Sequence, residues 1–310
     1  MRLIIVLFVI SFMTSCKSSY ISEVDNVPII TSDVELFYQT LDRMRQDGFF
    51  DSIVQSDYFD KGSNGLKALI NKDGLQAKEF MIYMREHQDF FMSIRKYLTR
   101  DQEYVSMTQE ILNQFDQILP GSKYKPIYFL VGQNKHGGTL TSDGFIIELQ
   151  KNILGLNGIK WGTLDSAKFS VHQDLDQMIA HEQVHVTQKP TYLSASLLKM
   201  TINEGIADFI SYKITGKRGN DKSYTYGDTN FDSLKSEWLD DLNKPINDVR
   251  SKWIWNWGRK SDRPYDLGYY IGFRIAQGYY VNNGANTQTL IEMRDIEDYD
   301  DFYAKSGFAN

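Results

Sequence analysis

The stretch that decides the fold is Leu175-Asp176-Gln177-Met178-Ile179-Ala180-His181-Glu182-Gln183-Val184-His185-Val186-Thr187. Residues four apart on an α-helix differ by about 40° in azimuth, so a helix here projects His181 and His185 from one face, where both can ligate one Zn²⁺. Glu182 lies beside such an ion rather than on it, where its carboxylate could take a proton from a bound water. With 5 His and 12 Glu in 310 residues, random placement produces this five-residue pattern on the order of a few times in a thousand chains. The apolar positions Leu175, Met178, Ile179 and Val186 place 182 and 185 on one buried stripe. A carboxylate and an imidazole buried there cost several kcal/mol unless paired or bound to a metal. A core helix with backbone-bonded histidines is the bland alternative; the pair with its intervening Glu favours zinc.

A catalytic zinc site takes three protein ligands and a water. The third candidate is Glu204, in Asn203-Glu204-Gly205-Ile206-Ala207-Asp208, which follows His185 closely enough for a turn near Lys189-Pro190 and a second helix alongside. Asp208, one turn after Glu204, can accept the N–H of His181 and fix its tautomer. The Glu-x-x-x-Asp spacing recurs at Glu237 and at Glu297, so context decides. Gly205 and Ala207 permit close helix approach, whereas Glu237 lies in a charged, Trp-containing segment.

Outward from these helices the chain changes character twice. Ile127 to Val131 and Gly144 to Leu149 are β-rich runs, with Gly137-Gly138 and Ser142-Asp143-Gly144 between them suited to turns. Two or three strands are expected there, then helices from about Leu175 to the end. From Val34 to Leu119 the spacing is helical, with breaks at Gly62 to Gly65, Lys72 to Gly74 and Pro120-Gly121. Its clusters Phe49-Phe50 and Phe90-Phe91-Met92 are read as core. At the start, Arg2 and the apolar run Leu3 to Met13 are too short to span a bilayer and read as a secretion signal. Met13-Thr14-Ser15-Cys16 resembles the lipobox of bacterial lipoproteins, which implies acylation of Cys16. The division expected is a signal over 1–15, a tether over 16–30, a helical subdomain over 31–120 and a metallopeptidase domain over 121–310.

His181-Glu182-x-x-His185 followed by Asn203-Glu204-x-x-x-Asp208 resembles the gluzincin metallopeptidases, with Ile202 to Asp208 similar to thermolysin-like enzymes. Together with Val131-Gly132-Gln133, Gly137-Gly138-Thr139 and Asp266 to Gly272, these motifs resemble bacterial lipoproteins described as zinc-dependent proteases. The resemblance covers about Ile127 to Phe308. It implies an α+β, mostly helical, zincin-like fold with a small mixed sheet, and an edge strand within Gly137 to Leu149 that pairs with extended substrate. It also implies one Zn²⁺ per chain held by His181, His185 and Glu204, with Glu182 as general base and Asp208 and Asn203 behind the ligands. The substrate would be a peptide or protein. Tyr269, Tyr270, His136 and His172 are possible oxyanion donors, each more simply read as structural.

Trp253, Trp255 and Trp257 alternate, as on a strand with three indoles on one face; a core-facing strand is preferred to a glycan platform. Arg259, Lys260 and Arg263 read as a solvated loop. A formal charge of −6 excludes a nucleic-acid binder, and the lone Cys16 excludes disulfides and thiolate zinc sites. The reading is an exported zinc metallopeptidase anchored to a bacterial membrane through Cys16, the outer membrane favoured. Its alternatives are a non-catalytic zincin-scaffold lipoprotein of a surface or secretion assembly and a zinc hydrolase of non-peptide amides.

Overall fold

From Ser32 to Ile118 helix follows helix, because apolar residues recur every three or four positions and breakers fall between the runs. The computed structural model describes residues 20–171, 174–189, 195–256 and 261–309. Helix α1 (Ser32–Asp47) buries Val34, Phe37, Tyr38, Leu41 and Met44 and stops at Gly48, whose φ of 107° suits a residue without Cβ. A short α2 (Asp51–Ile53) runs into a π-helical turn over Val54–Phe59, which carries Tyr58 inward to donate its hydroxyl to the Val131 carbonyl at 2.7 Å. Helix α3 (Asn64–Asp73) is capped by Ser63 and tied to α1 by Asp33, which accepts the Ser63 N–H at 2.9 Å. Helices α4 (Ala77–Glu86), α5 (Gln88–Leu98) and α6 (Asp101–Ile118) complete this half. Phe90 and Phe91 are core, whereas Phe50 is exposed, so the Phe49-Phe50 pair is split between core and solvent.

The sheet draws a strand from before the helices. Strand β1 (Ile29–Ile30) pairs parallel with β2 (Ile127–Leu130); β3 (Gly138–Leu140) lies antiparallel on β4 (Phe145–Glu148), which is parallel to β2. The order β1-β2-β4-β3 leaves β3 at an edge. Ile21 also bridges to Tyr124, so the segment expected to be a tether over 16–30 is held to the body from Ile21 onward; Cys16 and the signal segment lie outside the described residues. A second pair, β5 (Asn152–Leu154) and β6 (Ser170–Val171), precedes the helix that carries His181 and His185.

The remainder is helical: α7 (Leu175–Thr187), α8 (Leu197–Thr215), α9 (Asp221–Thr229), α10 (Phe231–Asp241), α11 (Ile246–Trp253), α12 (Leu267–Asn282), α13 (Thr287–Arg294) and α14 (Tyr299–Ser306). The fold is therefore a mostly helical α+β arrangement with a small mixed sheet. One hydrophobic cluster runs through the described residues from Val27 to Phe308. Among them no helix is long and apolar enough to cross a membrane.

Two local expectations are corrected. Helix α7 is buried on nearly every side rather than along a stripe, and Glu182 and His185 are among its partly exposed residues. The alternating tryptophans do not form a strand: α11 ends at Trp253, which is in the core, Trp255 turns outward, and Trp257 lies outside the described residues. The helical period places Trp253 because Ile246, Val249 and Trp253 share one face.

Helices α8 and α12 touch backbone to backbone. A Cβ on Gly205 would lie 1.9 Å from the carbonyl carbon of Gly272, and one on Gly272 would lie 1.9 Å from the Thr201 oxygen. Gly272→Ala should therefore force the helices apart and destabilise the fold by about 2–3 kcal/mol. Urea unfolding with an unchanged midpoint would show that the crossing is not close.

Candidate metal centre

Helices α7 and α8 run antiparallel, as shown by the contact pairs 188–203, 185–204, 181–208 and 177–211 along their lengths. This register brings His181 and His185 against Glu204. His185 Nε2 is 3.0 Å from His181 Nε2 and 3.2 Å from Glu204 Oε2, and His181 Nε2 is 3.4 Å from the same oxygen. An ion bonded at about 2.0–2.1 Å to donors at tetrahedral corners spaces those donors about 3.3 Å apart. The triangle therefore has the dimensions of a zinc site.

The chemistry of the donors fits as well. His181 Nδ1 is 2.7 Å from Asp208 Oδ1, and His185 Nδ1 is 2.7 Å from Gln188 Oε1. Both partners are acceptors, so each Nδ1 carries a proton and each Nε2 turns a lone pair towards the other and towards a carboxylate oxygen. Three acceptors converge stably only on a cation or on shared protons. Burial disfavours a charged His181, but its hydrogen bonds to Asp208 and Glu204 prevail and raise its pKa well above the usual value. His185 behaves alike: burial opposes the charge, and Glu204 overrides it and raises the pKa. Burial would raise the Glu204 carboxyl, yet His185 and His181 hold it below the usual carboxylate range.

Behind the triangle, Asp208 is a junction. It accepts the Tyr224 hydroxyl from α9 at 2.8 Å and a weak bond from Gln177 at 3.4 Å, besides holding His181. Gln188 donates to the Asn203 carbonyl at 3.1 Å, so it ties His185 to the residue before Glu204. The Asn203 side chain turns away from the centre and accepts the Tyr299 hydroxyl at 2.7 Å. Tyr224 and Gln188 were not anticipated. Gln188 carries a local signal, one turn after His185, whereas Tyr224 reaches Asp208 from another helix.

Glu182 sits beside the triangle, with β3 above it: a Cβ on Gly138 would lie 3.3 Å from the Glu182 Cγ. Among the described residues its carboxylate has no hydrogen-bond partner, which leaves it free to hold a water and take a proton. The Tyr269 ring lies nearly parallel to that of His181, with centroids 6.0 Å apart. Its hydroxyl accepts the Trp255 indole N–H at 3.1 Å. Burial, reinforced by the charge of Glu204, raises its pKa well above the usual value, so it stays a donor. Tyr270 points elsewhere, to Asp228. His136 pairs with Asp73 at 3.0 Å, and Arg263 pairs with Glu237 at 2.8 Å. His172, Arg259 and Lys260 lie outside the described residues.

The family model DUF2268, a predicted Zn-dependent protease, matches residues 107–297, a span that begins in α6 and contains the whole centre. No curated protein and no solved structure matches the chain.

Because both imidazoles are raised in the metal-free protein, a metal must displace their protons. Affinity for Zn²⁺ should fall as the pH drops, by up to about a hundredfold per unit where two protons are displaced. Competition with a chromophoric chelator from pH 8 to 5 checks this; a flat profile would mean that the imidazoles are not ligands.

Proposed function

The chain belongs to the family of predicted Zn-dependent proteases, and on that premise we propose that it is a zinc metallopeptidase, exported and anchored to a bacterial membrane through an acylated Cys16. The observation that carries the catalytic part is the convergence of His181, His185 and Glu204, with Glu182, which has no hydrogen-bond partner among the described residues, at their side. A zinc ion held only for structure has no use for a free general base. That favours an enzyme over a non-catalytic scaffold of a surface or secretion assembly.

A Zn²⁺ ion held there would supply a Lewis acid that lowers the pKa of water towards about 7. The chain's own groups do the rest. Glu182 takes the proton of the attacking water and delivers it to the leaving amine, as its free carboxylate permits. Asp208 keeps His181 in the tautomer whose Nε2 lone pair faces the ligand point. Tyr269, whose oxygen accepts the Trp255 N–H, keeps its own proton to donate to the developing oxyanion. Strand β3, at the sheet edge above Glu182, offers backbone groups for an extended peptide to join as a further strand.

Digestion of an unbiased peptide library tests the reading. Glu182→Gln should retain about one zinc per chain, measured by elemental analysis, and lose at least about a hundredfold in cleavage. His181→Ala should lose the metal. A wild-type protein that carries no zinc, or a Glu182→Gln variant that cleaves as well as wild type, would sink the proposal. For the anchor, mass spectrometry of the membrane fraction should find an acylated Cys16 at the N-terminus, and Cys16→Ala should release the protein.

A further inference from the structure

Trp255 combines three features that the fold alone does not require. Its φ is 55°, in the left-handed region where a bulky side chain is strained and glycine or asparagine is the ordinary choice. The residue is 38% exposed, while Trp253, two residues earlier, is fully buried. Its indole N–H is fastened to the hydroxyl of Tyr269, whose ring lies alongside the metal-ligand candidate His181.

The strain is held in place from both sides. Asn256 N–H donates to Asp266 Oδ1 at 3.4 Å, Asp266 N–H donates to Asn256 Oδ1 at 2.7 Å, and the Asn256 amide also bonds the Ser251 carbonyl at 3.1 Å. Gly268 lets the start of α12 press against this segment, since a Cβ there would lie 2.9 Å from the Trp253 oxygen. Trp253 is anchored by its own N–H on Asp241 at 2.9 Å. The clamp fixes the backbone, and what it presents is a partly exposed tryptophan bonded to the tyrosine beside His181. A simple turn would be built at lower cost with glycine.

We propose that Trp255 and Tyr269 form one wall of the substrate cleft and that Trp255 selects a large apolar or aromatic side chain on the residue adjoining the scissile bond. This rests on the metallopeptidase reading. The chemistry of the occupant follows from what the ring has left to offer. Its only polar group is spent on Tyr269, so the exposed part is carbon. A sugar or a charged side chain gains no hydrogen bond there, whereas an aromatic ring gains both burial and ring-on-ring contact. The wall stands beside the candidate centre, because the Tyr269 ring to which Trp255 is bonded lies 6.0 Å from that of His181, while Gly138 of β3 packs against Glu182, the residue after His181.

The test uses the zinc-loaded full chain and two chelating probes, phenylalanine hydroxamate and alanine hydroxamate, with binding measured by calorimetry. Wild type should bind the phenylalanine probe about tenfold more tightly. Trp255→Gly, which suits the backbone, should abolish that preference and bring the ratio of the two affinities to about one. Trp255→Phe should keep most of the preference. Equal affinities in wild type, or an unchanged ratio in Trp255→Gly, would overturn the wall while leaving the metal centre standing. Failure of the zinc-loaded wild type to bind either probe would overturn the metallopeptidase reading and the wall with it.

Discussion

The close crossing of α8 and α12 at Gly205 and Gly272 is the constraint on which the site depends. Glu204 precedes one of these glycines and Tyr269 lies one turn before the other, so a single backbone contact sets the separation between the carboxylate of the candidate centre and the phenol beside His181. Packing at this distance leaves no room for adjustment by side chains. The two helices therefore act as one rigid body, with α7 docked against it through His181, His185 and Gln188.

Electrostatics then finishes what packing begins. Two imidazoles and a carboxylate facing one point would be costly in a dry interior, yet both imidazole nitrogens turned away from that point have partners, Asp208 on His181 and Gln188 on His185, and Tyr224 in turn donates to Asp208. Two of the left-handed non-glycine residues, Trp255 and Asp266, lie in the segment before α12, where the reciprocal Asn256–Asp266 bonds hold them.

Much of the centre was legible in the sequence because helix geometry converts short spacings into faces. The four-residue intervals from His181 to His185 and from Glu204 to Asp208 determine which side chains share a side, and Gly205 announces a close approach. What could not be read depends on contacts between distant segments. Tyr224 reaches Asp208 from a separate helix, and no local pattern marks it. Strand β1 is only Ile29-Ile30 in a polar stretch and exists because β2 offers it a partner. The period-2 reading of the tryptophans failed because two alternating indoles are also compatible with a helix end followed by a left-handed residue. Likewise, α7 has too little amphipathic contrast for a stripe to be meaningful, since it is enclosed by α8, β3 and α6.

The pairing of Ile29 with Ile127 has a consequence for the order in which the molecule can be made. The connection between these parallel strands is the whole run of helices from α1 to α6, so β1 emerges from the ribosome about a hundred residues ahead of its partner. At usual elongation rates that is a wait of roughly 5–20 s. During it the helices α1 to α5 can form from local contacts, but the aromatic cluster around Phe37 and Tyr58 lacks the Val131 carbonyl that receives the Tyr58 hydroxyl. The nascent chain thus carries an apolar surface and an unpaired strand until β2 arrives, the interval in which a chaperone would find most to hold.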